Sequence, residues 1–170
     1  MLSFDIRQTS SQAARVEGSL GADDAVWEAD DFRPVGAVRV EGRLSSAGSG
    51  RFYLHGRMHG EVALECRRCL TDVRVPVSDE IQVVFAPEGD EEAIDPDVFT
   101  YDPDEREIDL RPALRELWLL SAPRFASCRE DCKGLCPTCG KNLNAGPCDC
   151  PPVRDSRWDA LRSPGVGTDN

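Results

Sequence analysis

The sequence predicts an α+β fold: a coiled antiparallel β-sheet of barrel-like curvature, one helix in the C-terminal half, and a cysteine-rich zinc module after it. Three observations carry this expectation. Apolar and charged residues alternate over much of residues 35–85, a short helical stripe follows near residue 110, and all eight cysteines fall in close pairs. At 170 residues and 40% hydrophobic, the chain suffices for one core of ordinary size.

The strands come first. Val38, Val40 and Leu44 share a parity with Gly42 between them, and the pattern recurs in Val62-Ala63-Leu64-Glu65-Cys66 and in Val73-Arg74-Val75-Pro76-Val77. A period of two places apolar side chains on one sheet face and charges on the other. Ser45-Ser46-Ala47-Gly48-Ser49-Gly50 is a turn by composition, and Arg51-Phe52-Tyr53-Leu54-His55 reads as an inner strand of a sheet of four to six. Gly36, Gly42, Gly56 and Gly60 interrupt strand patterns, as bulges and sharp curvature require. Residues 87–107 carry ten carboxylates and three prolines, which predicts a solvated loop. Asp109 then caps a helix starting at Leu110, with Pro112 in the first turn and Leu110, Ala113, Leu114 and Leu117 on one face; Pro123 ends it. The expected organisation is a β-rich domain over 1–127 with a helix at about 109–120, a cysteine segment over 128–150 packed on it, and a tail over 151–170.

Charge narrows the class. The net charge is −11, which disfavours a protein that simply coats nucleic acid, because such proteins gain affinity by releasing counterions from phosphates. No apolar run approaches a membrane span, and the first residues lack a secretory signal, so a cytoplasmic protein is expected. The charge is uneven: residues 33–78 carry eight arginines against four acids, whereas residues 79–110 carry one arginine against thirteen acids. Arginine suits bidentate phosphate contacts, so a local RNA-facing surface is one reading of the middle segment. The plain alternative is that these arginines solvate the outer face of a sheet.

The cysteines carry the strongest signal. Cys66 and Cys69, Cys128 and Cys132, Cys136 and Cys139, and Cys148 and Cys150 are spaced C-x2-C, C-x3-C, C-x2-C and C-x-C. Disulfide scaffolds join distant cysteines in oxidising compartments. Close pairs instead let two thiolates converge on one ion, and Zn²⁺ takes four of them tetrahedrally; iron–sulfur ligation is the competing reading, since thiolate spacing alone does not identify the metal. Gly134-Leu135-Cys136-Pro137-Thr138-Cys139-Gly140 has the composition of a zinc knuckle. The favoured partition places Cys136, Cys139, Cys148 and Cys150 around one ion, and Cys66, Cys69, Cys128 and Cys132 around the other; pairing Cys66 and Cys69 with Cys136 and Cys139 stays open. Four thiolates leave no position for a reacting water, so such sites are structural. His55 and His59 are the only histidines, and the sequence contains no P-loop, G-x-S-x-G or H-E-x-x-H motif, so no enzyme and no small-molecule substrate are expected.

Several of these segments, in order, resemble one bacterial family. They are Cys66-Arg67-Arg68-Cys69-Leu70, Ile108-Asp109-Leu110, Asp131-Cys132-Lys133-Gly134-Leu135-Cys136-Pro137-Thr138-Cys139-Gly140-Lys141-Asn142-Leu143-Asn144 and Asp155-Ser156-Arg157-Trp158-Asp159-Ala160-Leu161. The chain is similar through them to the YceD proteins, described as large ribosomal RNA subunit accumulation proteins. The resemblance implies a non-enzymatic factor supporting accumulation of 23S rRNA, with 23S rRNA, pre-50S particles or a basic large-subunit ribosomal protein as partners. Arg57, Arg67, Arg68, Lys133 and Lys141 are the candidate RNA contacts. A zinc-stapled protein-interaction or regulatory module without RNA contact is the alternative.

Overall fold

The protein is described by a computed structural model covering residues 2–91, 95, 97–151 and 157. Four long strands, Ala14–Gly21 (β2), Ala37–Gly48 (β3), Arg51–Glu65 (β4) and Asp72–Pro87 (β5), follow one another as an antiparallel meander. Val98–Tyr101 (β6) joins β5 in the parallel sense, completing a sheet of order β2-β3-β4-β5-β6. Ser3–Asp5 (β1) and Glu107–Asp109 (β7) pair with each other as a separate ribbon. Two helices, Ile6–Ser11 (α1) and Arg111–Ser121 (α2), complete the described elements.

The sheet is open, and the barrel-like form does not occur. Closure would need β2 to pair with β6, but β6 offers four residues before the chain leaves to form its ribbon with β1. The curvature signals have a physical basis nonetheless. Gly42 and Gly56 face each other across β3 and β4, and a Cβ on Gly56 would stand 2.7 Å from the Gly42 Cα. Only two glycines permit that approach. The turn between these strands is tighter than its composition predicts: Ser49 and Gly50, both at positive φ, connect strands that run to Gly48 and from Arg51.

Alternation decides what is buried. Val38, Val40 and Leu44 point inward from β3, and Phe52, Leu54 and Met58 from β4. Helix α2 closes the core with Ala113, Leu114 and Trp118. Trp118 extends the expected stripe by one turn, whereas Leu117 is only half-buried. Its indole N–H donates to the Phe32 carbonyl at 2.7 Å, and its ring lies where a Gly60 Cβ would stand, 3.1 Å away. The helix begins one residue later than expected, with Leu110 in the cap position; the Asp109 carboxylate still accepts the Arg111 N–H at 2.9 Å.

Two regions differ from the sequence expectation. The N-terminal segment forms α1 because Asp5 accepts from the N–H groups of Arg7 and Gln8, while Thr9, Ser10 and Ser11 hydroxyls donate back to carbonyls. A polar turn of this kind carries no hydrophobic period. The acidic segment is more than a solvated loop, since it holds β6 and β7. Phe99 packs near Phe85 with ring centroids 6.0 Å apart, and Tyr101 packs edge-on to Phe52 at 5.8 Å. Two aromatics and the buried Ile108 anchor this chain, and the Asp90 carboxylate accepts from the Arg51 guanidinium at 2.8 and 3.1 Å. The expected tail over 151–170, with its Asp155 to Leu161 motif, lies outside the described residues apart from Pro151 and Arg157.

Ion pairs tie the periphery to this core. The Arg115 guanidinium grips Asp31 at 2.6 and 2.9 Å and holds its carboxyl below the usual carboxylate range. Asp5 is lowered by the Gln8 N–H and by Arg106; Asp109 is lowered by Arg111 despite the opposing effect of burial. A carboxyl whose pKa is depressed by folding adds stability above its unfolded value, about 3.9 for Asp, and loses it as pH falls through the folded value. Asp31→Asn is therefore expected to lower stability at pH 7 and to flatten the loss below pH ~4, read from denaturation midpoints across pH. Gly56→Ala is expected to cost at least about 1–3 kcal/mol by overpacking, read as a lower urea midpoint at unchanged slope.

Candidate metal centre and the surface around it

Strand β4 ends at Glu65, and Cys66 follows at once. There the chain turns: the Leu70 N–H donates to the Cys66 carbonyl at 2.9 Å and the Cys66 N–H to the Thr71 carbonyl at 2.8 Å. The same pair of bonds recurs further on, from the Gly140 N–H to the Cys136 carbonyl at 2.9 Å and from the Cys136 N–H to the Lys141 carbonyl at 2.8 Å. The residue after the second cysteine takes a positive φ in both turns, +58° at Leu70 and +72° at Gly140. Two C-x2-C segments thus build one knuckle geometry twice. Leucine at a left-handed position carries a conformational cost that glycine does not.

Each knuckle meets a second cysteine pair. Cys66, Cys69, Cys128 and Cys132 form a proximal set at the end of β4, and Cys136, Cys139, Cys148 and Cys150 a distal set; within each, the sulfurs lie within 4.8 Å of one another. In the proximal set the Cys66 and Cys132 sulfurs are 3.9 Å apart and those of Cys69 and Cys128 are 3.6 Å apart. A parallel bridge between Cys66 and Ala126, with the Arg67 N–H donating to the Ala126 carbonyl at 2.9 Å, brings the segment after α2 alongside.

Electrostatics within the sets favour a cation. Backbone N–H groups of Cys128, Arg68 and Cys69 bring the Cys66 thiol down to about 6, and those of Cys139 and Thr138 do the same for Cys136. Hydrogen bonding with its neighbours pushes Cys128 up to about 12, Cys132 foremost, and Cys150 likewise, Cys139 foremost. Protein groups alone therefore support only part of four thiolates, and a bound cation would favour the fully ionised set. Sulfur-only donors in a closed group of four suit Zn²⁺ in a structural role.

The cationic candidates separate into different places. Arg57 lies on the outer face of β4, in register with Glu41 and Glu80, and pairs with Glu80 at 3.6 Å. Arg68 donates to the Cys132 carbonyl at 2.8 Å, so its guanidinium braces the proximal set. Arg67 and Lys133 are exposed beside that set, and neither side chain has a polar partner among the described residues. Lys141 donates to the Pro147 carbonyl at 2.7 Å, in the distal loop. Three features went unassigned in the sequence. Leu70 and Phe125 flank the proximal set at 58% and 73% exposure, and Asn144 reaches Cys132 at 3.3 Å. The third is a pair of rows on the outer sheet face, where Arg43 stands opposite His55 and Arg39 opposite His59. Alternating 2- and 3.6-residue patterns cannot reveal these, because they arise from loop closure and strand register.

An open, mostly antiparallel sheet bearing a double four-cysteine module at the end of β4 is the class of protein that these features define. The family model described as Large ribosomal RNA subunit accumulation protein YceD matches residues 54–163, and the chain belongs to that family. Among relatives, a protein of Arabidopsis thaliana named Large ribosomal RNA subunit accumulation protein YCED homolog 1, chloroplastic, is 41% identical over 54 residues, covering 32% of this chain and 17% of that protein. The homologue of the same name from Zea mays is 28% identical over 132 residues, covering 61% of this chain and 45% of that protein. The chain thus spans less than half the length of these two plant relatives. The uncharacterized protein YlbN of Bacillus subtilis is 27% identical over 140 residues, covering 82% of this chain and 80% of that protein. No solved structure matches. No helix among the described residues is long and apolar enough to cross a membrane.

Elemental analysis of protein purified under reducing conditions is expected to find about two zinc ions per chain, one for each set of four sulfurs. Cys136→Ser should lower this to about one and reduce stability, because the remaining thiolates lose a shared counter-charge.

Proposed function

We propose that this protein supports the accumulation of 23S rRNA as a non-enzymatic, cytoplasmic assembly factor, acting by binding to immature large-subunit particles. The family match over residues 54–163 carries this reading, together with the names of its plant relatives. In this reading residues 1–127 form the β-rich body, and zinc holds residues 128–150 on it through the eight cysteines. Closed thiolate sets would supply charge neutralisation and rigidity, not a reacting water. The protein transforms no small molecule and needs no membrane.

The RNA contact belongs at the proximal knuckle. Arg67 and Lys133 present cationic side chains without polar partners among the described residues there, and exposed Leu70 and Phe125 lie alongside. Arg68 contributes indirectly, by holding the Cys132 carbonyl. Arg57 contributes less, because the carboxylates in register with it offset its charge. Lys141 acts through the distal loop that it fastens. The acidic stretch over residues 79–110 has the complementary character, suited to a basic large-subunit ribosomal protein.

Arg67→Glu with Lys133→Glu is expected to weaken co-sedimentation with pre-50S particles and to flatten its dependence on salt, by about one unit of slope for each phosphate no longer neutralised. Both side chains project into solvent, so the thermal midpoint should hold. Unchanged co-sedimentation at every salt concentration, alongside retained capture of a ribosomal protein, would favour the protein-interaction module without RNA contact.

A further inference from the structure

Asn144 belongs by chain position to the distal set, in the loop that returns from Cys139 to Cys148, yet its side chain serves the proximal one. Its Nδ2 donates to the Cys132 sulfur at 3.3 Å and to the Asn142 Oδ1 at 2.8 Å. Its Oδ1 accepts from the Lys133 N–H and from the Arg129 guanidinium, both at 2.8 Å. All four contacts agree on the orientation of the amide, since a flipped group would set donors against donors. The loop is fastened along its length: the Leu143 N–H donates to the Gly134 carbonyl at 2.9 Å, Asn142 bridges Leu135, and the Leu135 N–H donates to the Arg68 carbonyl at 3.0 Å. A chain of hydrogen bonds therefore runs from the distal loop to the knuckle that carries Cys66 and Cys69.

We propose that Asn144 is a positioning residue that couples the two cysteine sets, so that ion binding at the distal set strengthens ion binding at the proximal one. The inference rests on the reading that both sets hold ions. Closing Cys148 and Cys150 onto Cys136 and Cys139 fixes the two ends of the loop. The fixed loop then delivers the Asn144 amide to Cys132, where an N–H donor disperses charge on a metal-bound sulfur without displacing it. Hydrogen bonds of this kind to metal ligands typically change affinity by about 10–100-fold. Linkage makes the coupling reciprocal, so a filled proximal set also favours the distal one, and two ions enter cooperatively. Occupancy would then switch the module as one unit, which keeps half-assembled knuckles scarce.

Co²⁺ tests this on the full-length chain, stripped of metal under reducing conditions, with a competing chelator and the thiolate-to-cobalt absorption as readout. A Cys66→Ser/Cys69→Ser variant reports the distal set alone. A Cys148→Ser/Cys150→Ser variant reports the proximal set with its loop released. The expected results are uptake of two ions by the unaltered chain and a loss of about 10–100-fold in proximal affinity for Asn144→Ala. The released-loop variant should show a similar proximal loss, and adding Asn144→Ala to it should cost no more. Asn144→Asp, which keeps the Oδ1 acceptor and removes the donor, should weaken the proximal set as alanine does. Proximal affinity within about twofold of the unaltered chain in both Asn144 variants would overturn the coupling, as would losses that simply add. Failure of the unaltered chain to take up Co²⁺ would overturn the two-ion reading itself, a result distinguishable from uptake of two ions by independent sets.

Discussion

Four sulfurs within 4.8 Å of one another form the constraint on which residues 126–150 depend, and it is met twice. As thiols they pack like small apolar side chains, and Cys66, Cys69 and Cys132 form a small buried cluster of their own with Val73 and Leu135 against it. As thiolates they repel. Backbone N–H groups favour ionisation of the first cysteine in each knuckle, while hydrogen bonds with neighbouring cysteines push the thiols of Cys128 and Cys150 up. A divalent ion would resolve the conflict, and the segment around the sulfurs has little else to stand on. It contains no described helix and no strand beyond isolated bridges. Small segments with so little apolar surface draw their folding free energy from the metal.

The sheet gives this module a fixed address. Strands β4 and β5 are the longest, and their pairing continues from Phe52 with Phe85 through to Glu65 with Asp72. Their far ends therefore project as a short two-stranded arm past the last pairing on the β3 side, the Pro34–Val62 bridge. Cys66 opens the knuckle at the tip of that arm. Trp118 secures the other side: it seats α2 on Gly60 and hydrogen-bonds the Phe32 carbonyl, which fixes where the chain leaves toward Ala126. The proximal set thus joins two chain segments some sixty residues apart, and the loop that it closes is entropically costly to hold without a cross-link.

What the sequence revealed and what it hid divide along physical lines. Patterns governed by neighbours two or four residues away were legible: the burial of Val38, Val40 and Leu44, the helix that follows Asp109, and the end of β4 at the first cysteine. Sheet closure was not, because it depends on whether two edges meet in space. The short helix α1 escaped because hydroxyl and carboxylate bonds hold it, not an apolar stripe. Strand β6 escaped because ten carboxylates mask two aromatics, yet those rings decide its place. At the candidate site, cysteine spacing announced the chemistry, while the side chains that brace it did not stand out. Arg68 reads as a free cation and is a brace; Asn144 reads as a loop residue and reaches a sulfur in the other set. Arg57 reads as part of a basic face and lies among carboxylates, because register interleaves acidic and basic rows on the outer sheet surface.

The central claim, that thiolate-bound ions clamp residues 126–150 onto an independently folded sheet, meets its most direct test in amide hydrogen exchange on the full chain with and without a strong zinc chelator. Slow exchange at the Leu135, Cys136, Gly140 and Leu143 amides, each bonded to a backbone carbonyl, is expected to vanish on chelation, while the inner strands at Leu54, Met58 and Ile81 keep theirs. Identical protection of both regions before and after chelation, or equal loss from both, would contradict it.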